Sequence, residues 1–97
     1  LVDIQDAESE LSRLREAIDR VDEVLVKLLN QRAKYAVQIG EIKGTLSLPI
    51  YSPEREKEVL RHVECASMGP LEGDAVRRLF ERIIDESRRV ERESAQR

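Results

Sequence analysis

The sequence predicts an all-α fold: three helices per chain, one very long, in an intertwined helical homodimer. Apolar residues recur at Leu11, Leu14, Ile18, Val21, Leu25 and Leu28, spaced alternately by three and four as in a helical seam. The composition is 40% hydrophobic and 38% charged, with 3% aromatic, which suits helices with solvated outer faces better than a sandwich or a disordered chain. The first helix also outgrows its own domain, and that requires a second copy.

From about residue 6 to residue 43 the chain has no proline, and Gly40 is the only glycine. A helix of roughly 38 residues is about 57 Å long, whereas a compact domain of this size has a radius of gyration near ~13 Å. The 97 residues make one small domain. Its two shorter helices cannot cover so long a stripe, so another copy must bury the remainder. Gly44 is the expected C-cap, and the pattern is broken through Leu48. The second helix is expected over residues 53–67, with Ser52 as N-cap, Pro53 at its first position and Val59, Leu60 and Val63 inward. Met68-Gly69-Pro70-Leu71 is turn chemistry. The third helix, over residues 72–92, carries Val76, Leu79, Phe80, Ile83 and Ile84, and residues 93–97 are expected to fray.

Several function classes are disfavoured. A net charge of -3 and no basic stripe argue against nucleic acid. No apolar run is long enough to span a bilayer and no signal-peptide pattern opens the chain, which points to the cytoplasm. Cys65 is the sole cysteine, so no internal disulfide or thiolate cluster is expected. His62 has no serine or cysteine partner at a meaningful spacing and reads as a surface residue. With no glycine-rich phosphate loop and no metal-ligand cluster, neither cofactor nor metal is expected. An enzyme built from this set would clamp a small polyanion.

Polar residues interrupt the predicted apolar faces. Past Leu28 the seam continues to Arg32, Tyr35, Ile39 and Ile42, so Arg32 falls where an unpaired charge is expensive. Lys43 is eleven positions further on, on nearly the same face. Glu56 precedes Val59, Leu60 and Val63 by three, four and seven; Ser87 and Glu91 continue the face of Phe80, Ile83 and Ile84. Each has an ordinary alternative: a snorkelling arginine, a first-turn acid, a serine bonded to its own helix. Together they suggest a polar pocket in a helical bundle, with Arg55 a further cation at its mouth. Arg15 lies roughly 25 Å along the helix from Arg32, too far to serve the same pocket in one chain. A solvated surface position is its simplest reading, and an antiparallel partner's pocket is the other.

In order and separation, Leu14-Arg15-Glu16-Ala17-Ile18-Asp19, Leu29-Asn30-Gln31-Arg32, Ile39-Gly40-Glu41-Ile42-Lys43, Pro53-Glu54-Arg55-Glu56 and Phe80-Glu81-Arg82-Ile83-Ile84-Asp85-Glu86-Ser87 resemble the all-helical class of chorismate mutase. Similarity runs from about Leu11 to Glu91, and Gly69-Pro70-Leu71 looks most like the mutase domain of bifunctional chorismate mutase–prephenate dehydratases. The resemblance implies a domain-swapped dimer, fusion to or association with another shikimate-pathway enzyme, and conversion of the dianion chorismate to prephenate without a cofactor. It also implies the roles. Arg32 would hold one carboxylate and Arg15 of the other subunit the second. Lys43 would donate to the ether oxygen and a carboxylate, Glu56 would accept from the ring hydroxyl, Arg55 would support the carboxylate end, and Ser87 would contact a carboxylate. Glu91 would sit across the ether oxygen.

Two positions depart from many relatives. Glu91 stands where some carry glutamine, and a glutamate donates a hydrogen bond only as the neutral acid, so the rate is expected to fall as pH rises. Ser52 stands where many carry aspartate, which matters if that side chain meets the substrate hydroxyl. Two other readings use the same residues: an isochorismate-pyruvate lyase on the same fold, and a non-catalytic helical dimerisation or regulatory module.

Overall fold

The computed structural model describes residues 3–96. Its three helices are α1 (Ile4–Leu46), α2 (Pro53–Ala66) and α3 (Gly73–Ala95). The all-α, three-helix expectation holds, while two helix ends move. Helix α1 continues past Gly44, which is not a cap. Ser47 takes the left-handed conformation at φ 55°; its N–H donates to the Gly44 carbonyl at 3.4 Å, and the Leu48 N–H donates to the Lys43 carbonyl at 2.8 Å. These two bonds form a Schellman ending, with serine where glycine is usual. Helix α3 also runs further than predicted, through Ala95. Its final turn is packed, since Ser94 is buried and the Ala95 backbone lies against Gly44.

The chain divides into two compact units, Leu1–Arg32 and Ala33–Arg97. The first consists of the leading part of α1. Its described residues up to Gln31 are all exposed except Ala17, which is half-buried. The apolar seam is fully formed here but uncovered: exposure runs from 46% at Leu14 to 58% at Ile18.

The second unit holds the end of α1 with α2 and α3. Glu56 of α2 pairs with Arg88 of α3, and Glu64 with Arg77, so these two helices run antiparallel. Leu60, Val76 and Ile84 are buried between ion-paired edges, flanked by half-buried Val59, Val63, Phe80 and Ile83. Helix α1 contributes Ala36 and Gly40, both buried. A Cβ on Gly40 would stand 2.7 Å from the Glu91 Cα, and one on Gly44 would stand 2.7 Å from the Ala95 carbonyl oxygen. Two glycines one turn apart thus let α1 lie directly on the α3 backbone.

The crossing uses a face beside the predicted seam. Tyr35, Ile39 and Ile42 continue the seam and, like the seam residues before them, are exposed in the single chain, at 58%, 46% and 56%. Inside the unit, α1 instead presents the neighbouring stripe of Ala36, Gly40 and Lys43. Close approach selects small residues, and spacing of large apolar residues alone does not reveal it. Among the described residues, no helix is long and apolar enough to cross a membrane.

Candidate active site

The close crossing of α1 and α3 brings two of the predicted site residues together. Lys43 leaves α1 three positions after Gly40, and Glu91 is the residue against which Gly40 packs. Their side chains meet with Lys43 Nζ 2.7 Å from Glu91 Oε1, at only 19% and 15% side-chain exposure. At that distance the contact is a charge-assisted ion pair in a sheltered place. Lys43 Nζ also donates to the Ile50 carbonyl at 2.9 Å, which ties the end of α1 to the loop before α2.

Glu56 is the second half-buried acid, and its partner is one that sequence reasoning missed. Arg88 Nε donates to Glu56 Oε2 at 3.1 Å, while Nη2 donates to Oε1 at 2.8 Å and to Oε2 at 2.9 Å. The guanidinium also sits 5.2 Å from the centroid of the Tyr51 ring and 3.5 Å from Asp85. The hydrogen bonds to Glu56 hold the Arg88 guanidinium above its ordinary value despite some opposing desolvation, so it is charged at any pH the fold meets. The signal was available: Val76, Phe80, Ile84 and Arg88 follow one another by fours, so Arg88 continues an apolar face. The Tyr51 contact had no such signal, because it joins a loop to a helix.

The other predicted residues are placed as follows. Ser52 is half-buried in the N-cap position of α2, with φ −128° and ψ 93°, and its side chain makes no capping bond. Its carbonyl accepts from the Glu56 N–H at 3.1 Å, so the Glu56 backbone is anchored on Ser52. Arg55 points outward, 69% exposed, and pairs with Glu58 at 3.3 Å. Ser87 is half-buried on α3, one turn before Glu91. Arg15 and Arg32 belong to the first unit, where Arg15 is exposed and Arg32 half-buried.

Within the second unit, two acids and two cations form two pairs: Lys43 of α1 with Glu91 of α3, and Glu56 of α2 with Arg88 of α3. Arg88 and Glu91 are three residues apart and so lie near one face of α3. The four charges cancel. These pairs can accept a hydrogen bond from a hydroxyl at Glu56 and present a cation and an acid to a second polar group. Neutral overall, the two pairs do not by themselves neutralise a dianion.

Comparison with known proteins gives the family. The family described as chorismate mutase type II matches residues 14–92. The bifunctional chorismate mutase/prephenate dehydratase of Neisseria gonorrhoeae is 46% identical over 78 residues, covering 80% of this chain and 21% of that protein. The bifunctional enzyme of the same description from Aquifex aeolicus is 54% identical over 54 residues, 56% of this chain and 15% of that protein. This chain thus spans about a fifth or less of the length of these curated relatives. Among solved structures, chorismate mutase from Helicobacter pylori in complex with prephenate has a TM-score of 0.82 at 31% identity, covering 91% of this chain and 96% of that one. Chorismate mutase (Form II) from Thermus thermophilus reaches the same TM-score at 33% identity, covering 84% and 93%. With the family pattern running through almost the whole chain, and the fold shared with solved members, this chain belongs to the chorismate mutase type II family.

Proposed function

We propose that this chain converts chorismate to prephenate, as a single mutase domain over residues 1–97 that works as an intertwined homodimer. The reaction is a unimolecular Claisen-type rearrangement: one C–O bond breaks as one C–C bond forms, with no net redox change. The observation that carries the reading is the sheltered Lys43–Glu91 pair at the glycine crossing, 2.7 Å apart, in a chain of this family. A cation and an acid held beside each other in a low-dielectric place can both address an ether oxygen on which charge develops.

The remaining roles follow from the substrate's two carboxylates and ring hydroxyl. Arg32 grips one carboxylate in a bidentate clamp and Arg15 of the second subunit grips the other. Arg55 strengthens the cationic end, Ser87 donates to a carboxylate, and Glu56 accepts from the ring hydroxyl, with Ser52 beside it. Clamping both ends selects the compact, reactive conformer. The second copy is supported by the uncovered seam: six apolar side chains from Leu11 to Leu28, each 46–58% exposed, form a stripe that a lone chain leaves in water. Association with, or fusion to, another shikimate-pathway enzyme is supported by relatives that carry a prephenate dehydratase.

The test is chorismate disappearance with the purified chain. Arg32→Ala should lose on the order of 100- to 1,000-fold in kcat, as for a preorganised donor worth ~3–4 kcal/mol. Pyruvate release from isochorismate with no prephenate from chorismate would overturn the mutase reading in favour of a lyase. An Arg32→Ala variant that is neutral or more stable, in a chain inert toward both compounds, would leave a non-catalytic dimerisation module.

A further inference from the structure

Among the described residues, two ion pairs join α2 to α3, and they are built differently. Arg77 meets Glu64 through one contact at 3.1 Å, with Arg77 49% exposed. Arg88 meets both oxygens of Glu56, with the two side chains 27% and 24% exposed. Its guanidinium is also seated against the Tyr51 ring. An inter-helix tie needs only the first construction. The second fixes a plane: a guanidinium fork bound to both carboxylate oxygens and held from the side leaves the carboxylate little rotational freedom. It also anchors the loop that carries Tyr51, and the Ile50 carbonyl next to it is the acceptor for Lys43.

We propose that Arg88 is a positioning residue, its guanidinium fixing the Glu56 carboxylate in the orientation that accepts the substrate's ring hydroxyl. This rests on the reading of Glu56 given above. A bidentate carboxylate still has lone pairs to spare, so Glu56 can serve Arg88 and a hydroxyl together. Arg88 acts through Glu56 and need not touch substrate. Without it Glu56 would have to be oriented anew at each binding event, at an entropic cost taken from affinity.

The experiment is a kinetic double-mutant cycle on the full chain with chorismate, using Arg88→Met, Glu56→Ala and the double variant. Arg77→Met serves as the structural control, and thermal melting is recorded for all. Arg88→Met should lower kcat/KM by roughly ten- to a hundredfold, the worth of a hydrogen bond to a charged group. Arg88→Lys should recover part of this, because it keeps the charge and loses the fork. Glu56→Ala should lose at least as much as Arg88→Met, and the double variant should be within about twofold of Glu56→Ala alone. Arg77→Met should lower the melting temperature and leave kcat/KM near wild type.

The proposal is overturned if the two losses multiply, since Arg88 then acts independently of Glu56. It is equally overturned if Arg88→Met harms turnover no more than Arg77→Met does. If Glu56→Ala retains full activity while Arg32→Ala does not, the Glu56 assignment fails and takes the Arg88 role with it, leaving chorismate turnover intact. A wild-type chain inert toward chorismate would instead strike at the proposed reaction.

Discussion

Glu91 has two opposed uses at the level of single atoms. As a carboxylate it pairs with Lys43 at 2.7 Å; as a neutral acid it can donate toward an ether oxygen. Glu91→Gln keeps the shape of the side chain and donates a hydrogen bond through its amide. If donation is the working role, this variant should keep turning over chorismate while Glu91→Ala loses most of its kcat/KM; equal losses in the two would remove the donor role. Ser52 and Arg88 complete this scale. Serine occupies a cap position without using its hydroxyl as a cap, and Arg88 bears on the acid one turn further along.

Helix packing turns on where glycine stands. In an isolated helix alanine outranks glycine by about 1 kcal/mol, and on that ground alone Gly40→Ala would stabilise. Here the added Cβ would lie 2.7 Å from the Glu91 Cα, against backbone that cannot swing aside. Overpacking of that kind costs about 1–3 kcal/mol. Packing against backbone outweighs the propensity gain: Gly40→Ala should lower stability by up to about 2 kcal/mol. It should also lower activity, because the shift it forces moves Glu91 from Lys43. Gly73, at the start of α3, gives the reverse case. A Cβ there would be 3.8 Å from the nearest atom, Glu64 Cβ, so Gly73→Ala should gain about 0.4–1 kcal/mol from a less flexible unfolded chain. Melting curves of the two variants at equal protein concentration check both signs. A stabilised, fully active Gly40→Ala would show that the crossing is looser than described.

For the molecule as a whole, the decisive quantity is how many copies make one site. Arg15 and Arg32 are 17 positions apart on one helix, roughly 25 Å at the ordinary rise, so a ligand the size of chorismate cannot bridge them within one chain. If Arg15 serves the partner's site, Arg15→Ala and Arg32→Ala are each nearly inactive alone. After unfolding and refolding as a mixture, half the dimers are mixed, and each carries one intact site. Turnover should return to about a quarter of wild type. Sedimentation of the wild-type chain should give twice the chain mass, and Leu25→Glu in the exposed seam should reduce it to one. No recovery on mixing would confine Arg15 to the surface.

What the sequence determined by itself was the set of elements and most of the polar exceptions on their faces. Three helices, the turn between α2 and α3, and the unusual placing of Arg32, Lys43, Glu56, Ser87 and Glu91 follow from spacing and local chemistry, which act over a few residues. Tertiary structure decided which surfaces meet. The large residues of α1 mark the seam, while within the second unit α1 meets α3 through the neighbouring stripe of buried Ala36 and Gly40 and half-buried Lys43, because backbone-to-backbone contact requires side chains to be absent. Helix α1 ends at Leu46 and not at Gly44 for the same reason: the glycine is needed against Ala95, and Ser47 bears the left-handed turn. The pairing of Glu56 with Arg88 was likewise out of reach. It joins residues 32 positions apart, and only the antiparallel packing of α2 on α3 brings that acid and that base to the same place.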